Sequence, residues 1–213
     1  MAQAFQRLFL FAHLRAASGG WQALSDRVPD LVSDWPQASQ LGIFMGLFGV
    51  RNHDVFVLLS LANPAGASPE FASCVAELRR RLPADIELID SLPMKSTVRP
   101  ATDEPLARAG IFVFRFFDVH NADVDEITTL SSTAWQTFER AEAYASEPVA
   151  LFRSADLNSE RSRMLLLTWY DNLTSWERSR TPHPDATANF RRRAALSKSA
   201  IAYATRLSNT VAR

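Results

Sequence analysis

The chain has 213 residues, of which 47% are hydrophobic and 10% aromatic, including 14 Phe and 5 Trp. That is enough apolar side chain for a packed core and too much for a disordered chain. Its 23 Lys and Arg balance 23 Asp and Glu, so no net field draws it to nucleic acid or to an anionic membrane. The single cysteine, Cys74, excludes an internal disulfide and a cysteine-rich metal site.

Leu8 to Leu14 reads as a first, largely buried strand. The run Leu8 to Ala12 is too short for a signal peptide, and no stretch reaches transmembrane length, so the cytoplasm is the expected compartment. Trp21, Leu24, Val28, Leu31, Val32 and Trp35 recur at helical spacing, with Pro29 expected to kink or split the helix. Gln40 to Gly49 and Val55 to Ala62 follow as strands around the polar turn 51–54. Ser68-Pro69-Glu70 predicts a helix start, and Cys74, Val75 and Leu78 then share an apolar face. Ile86 to Ile89 alternates as a fourth strand. The order is βαββαβ, the ferredoxin-like arrangement.

A proline-bearing linker is expected from Pro93, and the order then repeats. Ile111 to His120 is a strand, and Asp123 with Glu126 predicts a capping box for a helix through Ile127, Leu130, Ala134 and Phe138. Strands at 148–153 and 164–170, helices at 174–180 and 185–196, and a closing strand at 201–207 complete it. Leu41 to Val149 and Val55 to Arg163 are each 108 residues apart, which aligns the two halves. The expected division is 1–92, a linker at 93–109, and 110–213. The fold class is α+β, with two tandem ferredoxin-like halves whose antiparallel sheets pack as a barrel. The arginine runs 79–81 and 191–193 lie late in helices, where cations suit the dipole, and read as solvated faces.

Arg115 interrupts an apolar strand and shares a face with Ile111, Val113, Phe117 and Val119. Two readings stand for it: a clamp for a substrate anion or carbonyl, and a structural ion pair with an acid such as Glu139. His120 and Asp118, two apart at the strand end, have the composition of a general base and its orienting carboxylate. A solvated strand edge is the plainer reading of that pair. Tyr170 carries a hydroxyl that can orient a carbonyl, and Trp169 lies on the opposite face. Trp135 and Phe138 are expected to cover the sheet as core or as an aromatic pocket wall. His13, His53 and His183 show no metal-ligand spacing, and no Gly-rich phosphate loop is present.

The second half resembles the NIPSNAP family of the dimeric α+β barrel superfamily. The stretches that carry this are Phe112 to Phe117, Val149 to Arg153, Leu165 to Asp171 and Trp176 to Arg180. Asn121-Ala122 stands where the family usually has Gly. The resemblance implies that one chain supplies both sheets of a barrel, with a pocket between a sheet and its covering helices. Superfamily members include cofactor-free oxygenases, isomerases, cyclases, lyases and haem enzymes, so the fold alone selects no chemistry. The leading expectation is a cofactor-independent enzyme for a small apolar or aromatic molecule. His120, Arg115 and Tyr170 would act on it, with Asp118, Trp135, Phe138, Trp169 and Arg153 as ligand contacts. The alternatives are a non-catalytic small-molecule-binding or interaction protein and a haem-binding barrel. No metal or resident cofactor is expected in the leading reading, and exposed edges leave a homodimer open.

Overall fold

The computed structural model describes residues 8–62, 71–181 and 183–208. The first half contains β1 (Leu8–Ala16), α1 (Gly20–Ser33), β2 (Ala38–Phe48), β3 (Asp54–Leu61), α2 (Phe71–Arg81) and β4 (Ile86–Ser96). The second contains β5 (Ile111–His120), α3 (Val124–Phe138), β6 (Ser146–Ser154), β7 (Arg161–Tyr170), α4 (Leu173–Arg178), α5 (Pro184–Leu196) and β8 (Ser197–Leu207). All strand pairs are antiparallel. The strands close in the order β1-β3-β2-β8-β5-β7-β6-β4, a single eight-stranded barrel. Two seams join the halves: β2 against β8, and β4 against β6 through Met94, Lys95 and Ser96.

Alternation along each strand fixes what lies inside. Phe9 and Phe11 of β1, Phe56 and Leu58 of β3, Phe112, Phe114 and Phe116 of β5, and Leu165 and Leu167 of β7 form the interior cluster. Phe114 touches the rings of Phe11, Phe44 and Phe56 at centroid distances of 6.0, 4.8 and 5.2 Å. An eight-stranded barrel is just wide enough for such side chains to fill it.

The outer faces differ. In the first half Leu10, Ala12 and Leu14 of β1 pack under Leu24, Val28 and Val32 of α1 and Cys74 and Leu78 of α2 as one continuous cluster. Burial raises the pKa of Cys74, as suits a small core residue. In the second half the outer layer is split into two clusters. One holds Phe117, Ile127, Trp135 and Leu166; the other holds Ile111, Val113, Phe138, Tyr144 and Tyr170. Arg115 lies on β5 between them.

Several expectations change. Pro29 sits inside one uninterrupted helix, because it lies on the solvent side, where a freed carbonyl can bond to water. β4 runs past Pro93 to Ser96, and β8 begins at Ser197 directly after α5. The Ser68-Pro69-Glu70 helix start lies outside the described residues. Asp123 does not cap α3: a 3-10 turn over Asn121–Asp123 gives it helical dihedrals (φ −92°, ψ −6°) and no side-chain cap bond. Glu126 instead accepts from Arg192 at 2.7 and 3.2 Å.

The repeat register also needs correction. β2 and β6 are bulged at equivalent residues, Leu41 and Val149, which are 108 apart. Beyond the bulge, Leu58 opposes Gly42 and Leu167 opposes Ala150, so β3 and β7 are related by 109 residues. An offset of 108 would turn Phe56 onto the outward position of Met164, since a one-residue slip reverses every side chain.

Candidate active site

The split outer layer of the second half leaves a cleft of about 380 Å³. Its floor is the sheet: Arg115 from β5, Leu166, Thr168 and Tyr170 from β7, and Ala200 and Ala202 from β8. Its walls are Trp135 and Phe138 of α3, Trp176 of α4 and Phe190 of α5. Arg193 reaches in from α5, and Arg180, in the turn after α4, stands exposed at the mouth.

Pseudo-symmetry explains the opening. Phe11 opposes Leu58 and Phe114 opposes Leu167, so Arg115 of β5 occupies the place of Ala12 in β1. Ala12 packs fully buried under α1 and α2; a guanidinium cannot, so the covering layer parts around it.

Three arginines meet here without a carboxylate. Among the described residues Arg115 makes no ion pair, and no Asp or Glu lines the cleft. Glu139 is taken by Arg99, which also donates to the Pro148 carbonyl at 2.9 Å and lies 5.3 Å over the Trp135 ring. Arg193 is 8% exposed. It donates to Ser131 Oγ at a long 3.3 Å and lies 4.9 and 5.4 Å from the Phe190 and Phe117 ring centres. Burial, and then Arg115 beside it, push Arg193 down to about 10. Burial likewise lowers Arg115, with Tyr170 opposing the shift and Arg180 adding to it. Trp176 adds a buried Nε1 donor with no hydrogen-bond partner among the described residues.

The structure therefore brings Arg115, Tyr170, Trp135 and Phe138 together and places the other sequence candidates elsewhere. His120 ends β5 beside Glu160 at 3.3 Å, while Asp118 faces Arg161 at 3.4 Å, so each has its own partner. Trp169 lies inside the barrel end, donating to the Ala109 carbonyl at 2.8 Å under the Arg108 guanidinium. Arg153 donates to the Ser154 carbonyl at 3.4 Å and does not line the cleft. Sequence reading missed Arg193 and Trp176. The run 191–193 is not one solvated face: Arg191 and Arg192 are exposed, but Arg193 turns inward, one helical turn after Phe190.

Haem needs an axial His, Cys, Met or Tyr. Among the described residues no His, Cys or Met lines the cleft, and its one such donor is the Tyr170 phenol, near Arg115 and Arg193. That donor set does not fit an imidazole- or thiolate-ligated haem. Among the described residues no three His, Cys, Asp or Glu side chains cluster as metal ligands, and no helix is long and apolar enough to cross a membrane.

No family model and no curated protein matches the sequence. Solved structures do match, over nearly the whole chain. An anthrone oxidase-like protein aligns with a TM-score of 0.61 at 12% identity, over 94% of this chain and 91% of its own. A mutant chlorite dismutase from Candidatus Nitrospira defluvii gives 0.58 at 12% over 95% and 91%. A ferredoxin-fold protein from Listeria monocytogenes, related to antibiotic biosynthesis monooxygenases, gives 0.50 at 9% over 96% and 95%. At such identities the likeness is one of fold, and the chain has the fold of the α+β barrel proteins.

Proposed function

We propose that the cleft binds a small, largely apolar or aromatic molecule through an anionic head and acts on it as a cofactor-independent enzyme. The observation that supports this best is the pair Arg115 and Arg193, one cation half-buried and one buried, with no carboxylate to neutralise them among the described residues. Such charges are costly unless paired, and an anionic ligand supplies the pair. The volume lies at the small end of ligand pockets and suits one or two fused rings. Trp135, Phe138 and Phe190 would sandwich the body, while Trp176 Nε1 and the Tyr170 hydroxyl donate to the head.

Among the described residues the cleft holds no carboxylate and no imidazole, so the head arrives ionised or ionises under the arginines' field. At pH 7 a guanidinium with a pKa of about 10 is neutral about one time in a thousand, so Arg193 stays a cation. Donors fixed before the reaction stabilise a phenolate or enolate as charge develops. An electron-rich anion of that kind can react with dioxygen or accept a proton elsewhere, which joins the oxygenase and isomerase readings. The monooxygenase-related and anthrone oxidase-like neighbours favour the first. The NIPSNAP-like stretches supply Arg115, Tyr170, Trp176 and Arg180, in keeping with membership of that family. A cytoplasmic chain acting as a monomer or homodimer completes the reading.

The test is tryptophan fluorescence during titration with 1-naphthoate and 1-naphthamide. Binding of the acid, with the amide at least tenfold weaker, is expected. Equal binding of both would remove the anion reading.

A further inference from the structure

A second constellation lies on the inner face of the barrel. His13 follows Phe9 and Phe11 on the inward face of β1, where the second half has Phe116. The small imidazole leaves a cavity of about 110 Å³ walled by Phe11, Phe56 and Phe116, with His13, Asp90, Arg163 and Tyr203 as its polar groups. Tyr203 and the cleft-lining Ala200 and Ala202 all belong to β8, so the two pockets open on opposite faces of that strand.

The polar groups are organised. His13 Nε2 lies 2.7 Å from Asp54 Oδ2. Asp54 is 1% exposed and accepts two further bonds from Arg15, at 2.7 and 2.9 Å. Burial alone would raise the Asp54 pKa, but Arg15 and His13 hold it below the ordinary range. An ionised carboxylate only accepts, so Nε2 carries a proton, and in the neutral ring the lone pair is then on Nδ1. Nδ1 has no hydrogen-bond partner among the described residues. The ring packs edge-on against Phe56 at 4.9 Å, which fixes it. Arg163, held by Asp90 at 2.6 and 2.9 Å, and the Tyr203 hydroxyl are donors on the same cavity.

We propose that this barrel end is a second site, in which His13 is the general base for enolising a small neutral carbonyl compound. Nδ1 takes a proton from the carbon beside the carbonyl. The C–H electron pair becomes the C=C bond, and the carbonyl π pair moves to oxygen, where Tyr203 and Arg163 donate to it. The imidazolium, stabilised by Asp54, returns the proton to carbon, so nothing else is consumed. Asp54 acts through His13 and is a positioning residue. A cavity of about 150 Å³ takes benzene, so this one takes about four or five heavy atoms.

The experiment is deuterium uptake by butanone in D2O, followed by proton NMR with the full chain. Exchange should exceed that of free imidazole at the same concentration, fall at least tenfold in His13→Gln, stay unchanged in His120→Gln, and persist when 1-naphthoate is bound. Exchange no faster than free imidazole, or equal in His13→Gln, overturns the proposal. Inhibition by 1-naphthoate also overturns it, by assigning the chemistry to the cleft. If His13→Gln does not fold, the wild-type His13 ring resonances decide. Butanone should move them and leave those of His53 in place, and no movement overturns the site.

Discussion

Replacing Arg193 by Met should make the protein more stable while removing its ligand. With its pKa pushed down to about 10 by burial, the Arg193 guanidinium has lost roughly two decades of proton affinity. At about 1.4 kcal/mol per decade, holding this cation in the ligand-free protein costs about 3 kcal/mol. Met keeps most of the apolar stem but loses the charge over the Phe190 and Phe117 rings, worth about 1 kcal/mol. The net gain of about 2 kcal/mol should raise Tm by about 4 to 8 °C. The sign also fixes the pH dependence. A base with a depressed folded pKa penalises the fold at every pH below that value, and the penalty is relieved as pH rises through it. The gap between Arg193→Met and wild type should therefore be full at pH 7 and narrow above pH 10. Scanning calorimetry with 1-naphthoate titration measures both halves. A Tm lowered by a similar amount, with naphthoate binding intact, would show that Arg193 is a structural residue and refute the reasoning.

Phe114→Ala should cost about 4 kcal/mol by urea unfolding, because a fully buried ring in contact with three others leaves a void. Gly110→Ala should cost at least about 2 kcal/mol: Gly110 has φ +139°, and a Cβ there would meet Trp169 and the Tyr170 carbonyl. Asp54→Asn should cost about 3 kcal/mol at pH 7, leaving Arg15 and His13 without their carboxylate. Because the folded Asp54 value lies below its unfolded one, this stabilisation is present above about pH 4 and lost as pH falls through the folded value. The deficit of Asp54→Asn should therefore shrink in acid, as acid titrations of both proteins will show. His120→Ala should leave 1-naphthoate affinity within about twofold of wild type, since His120 stands outside the cleft; a tenfold loss would bring it back into the site.

The doubled βαββαβ order was legible because each strand carries its period and each helix its apolar face. The one-residue slip between β3 and β7 was not, because the bulges at Leu41 and Val149 leave no mark in hydrophobic pattern. Arg115 announced itself as a charge in an apolar alternation, and Tyr170, Trp135 and Phe138 as side chains able to cover the same face. Arg193 was hidden in a run of three like residues, where helical phase, set by packing against α3, decides which one turns inward. The His13–Asp54 pair spans 41 residues and exists only because β1 and β3 are neighbours. No local spacing encodes it, whereas His120 and Asp118, close in sequence, find separate partners.

The seams at β2–β8 and β4–β6 join parts of one polypeptide. A barrel assembled from two chains comes apart on dilution and must carry the same residue on both copies. Here the tether holds the second half at an effective concentration of about millimolar or more, whatever the amount of protein present. Melting of the barrel itself should be independent of protein concentration. The two copies of the motif are also free to diverge: one could keep Ala12 and seal its outer face while the other took Arg115 and opened a cleft.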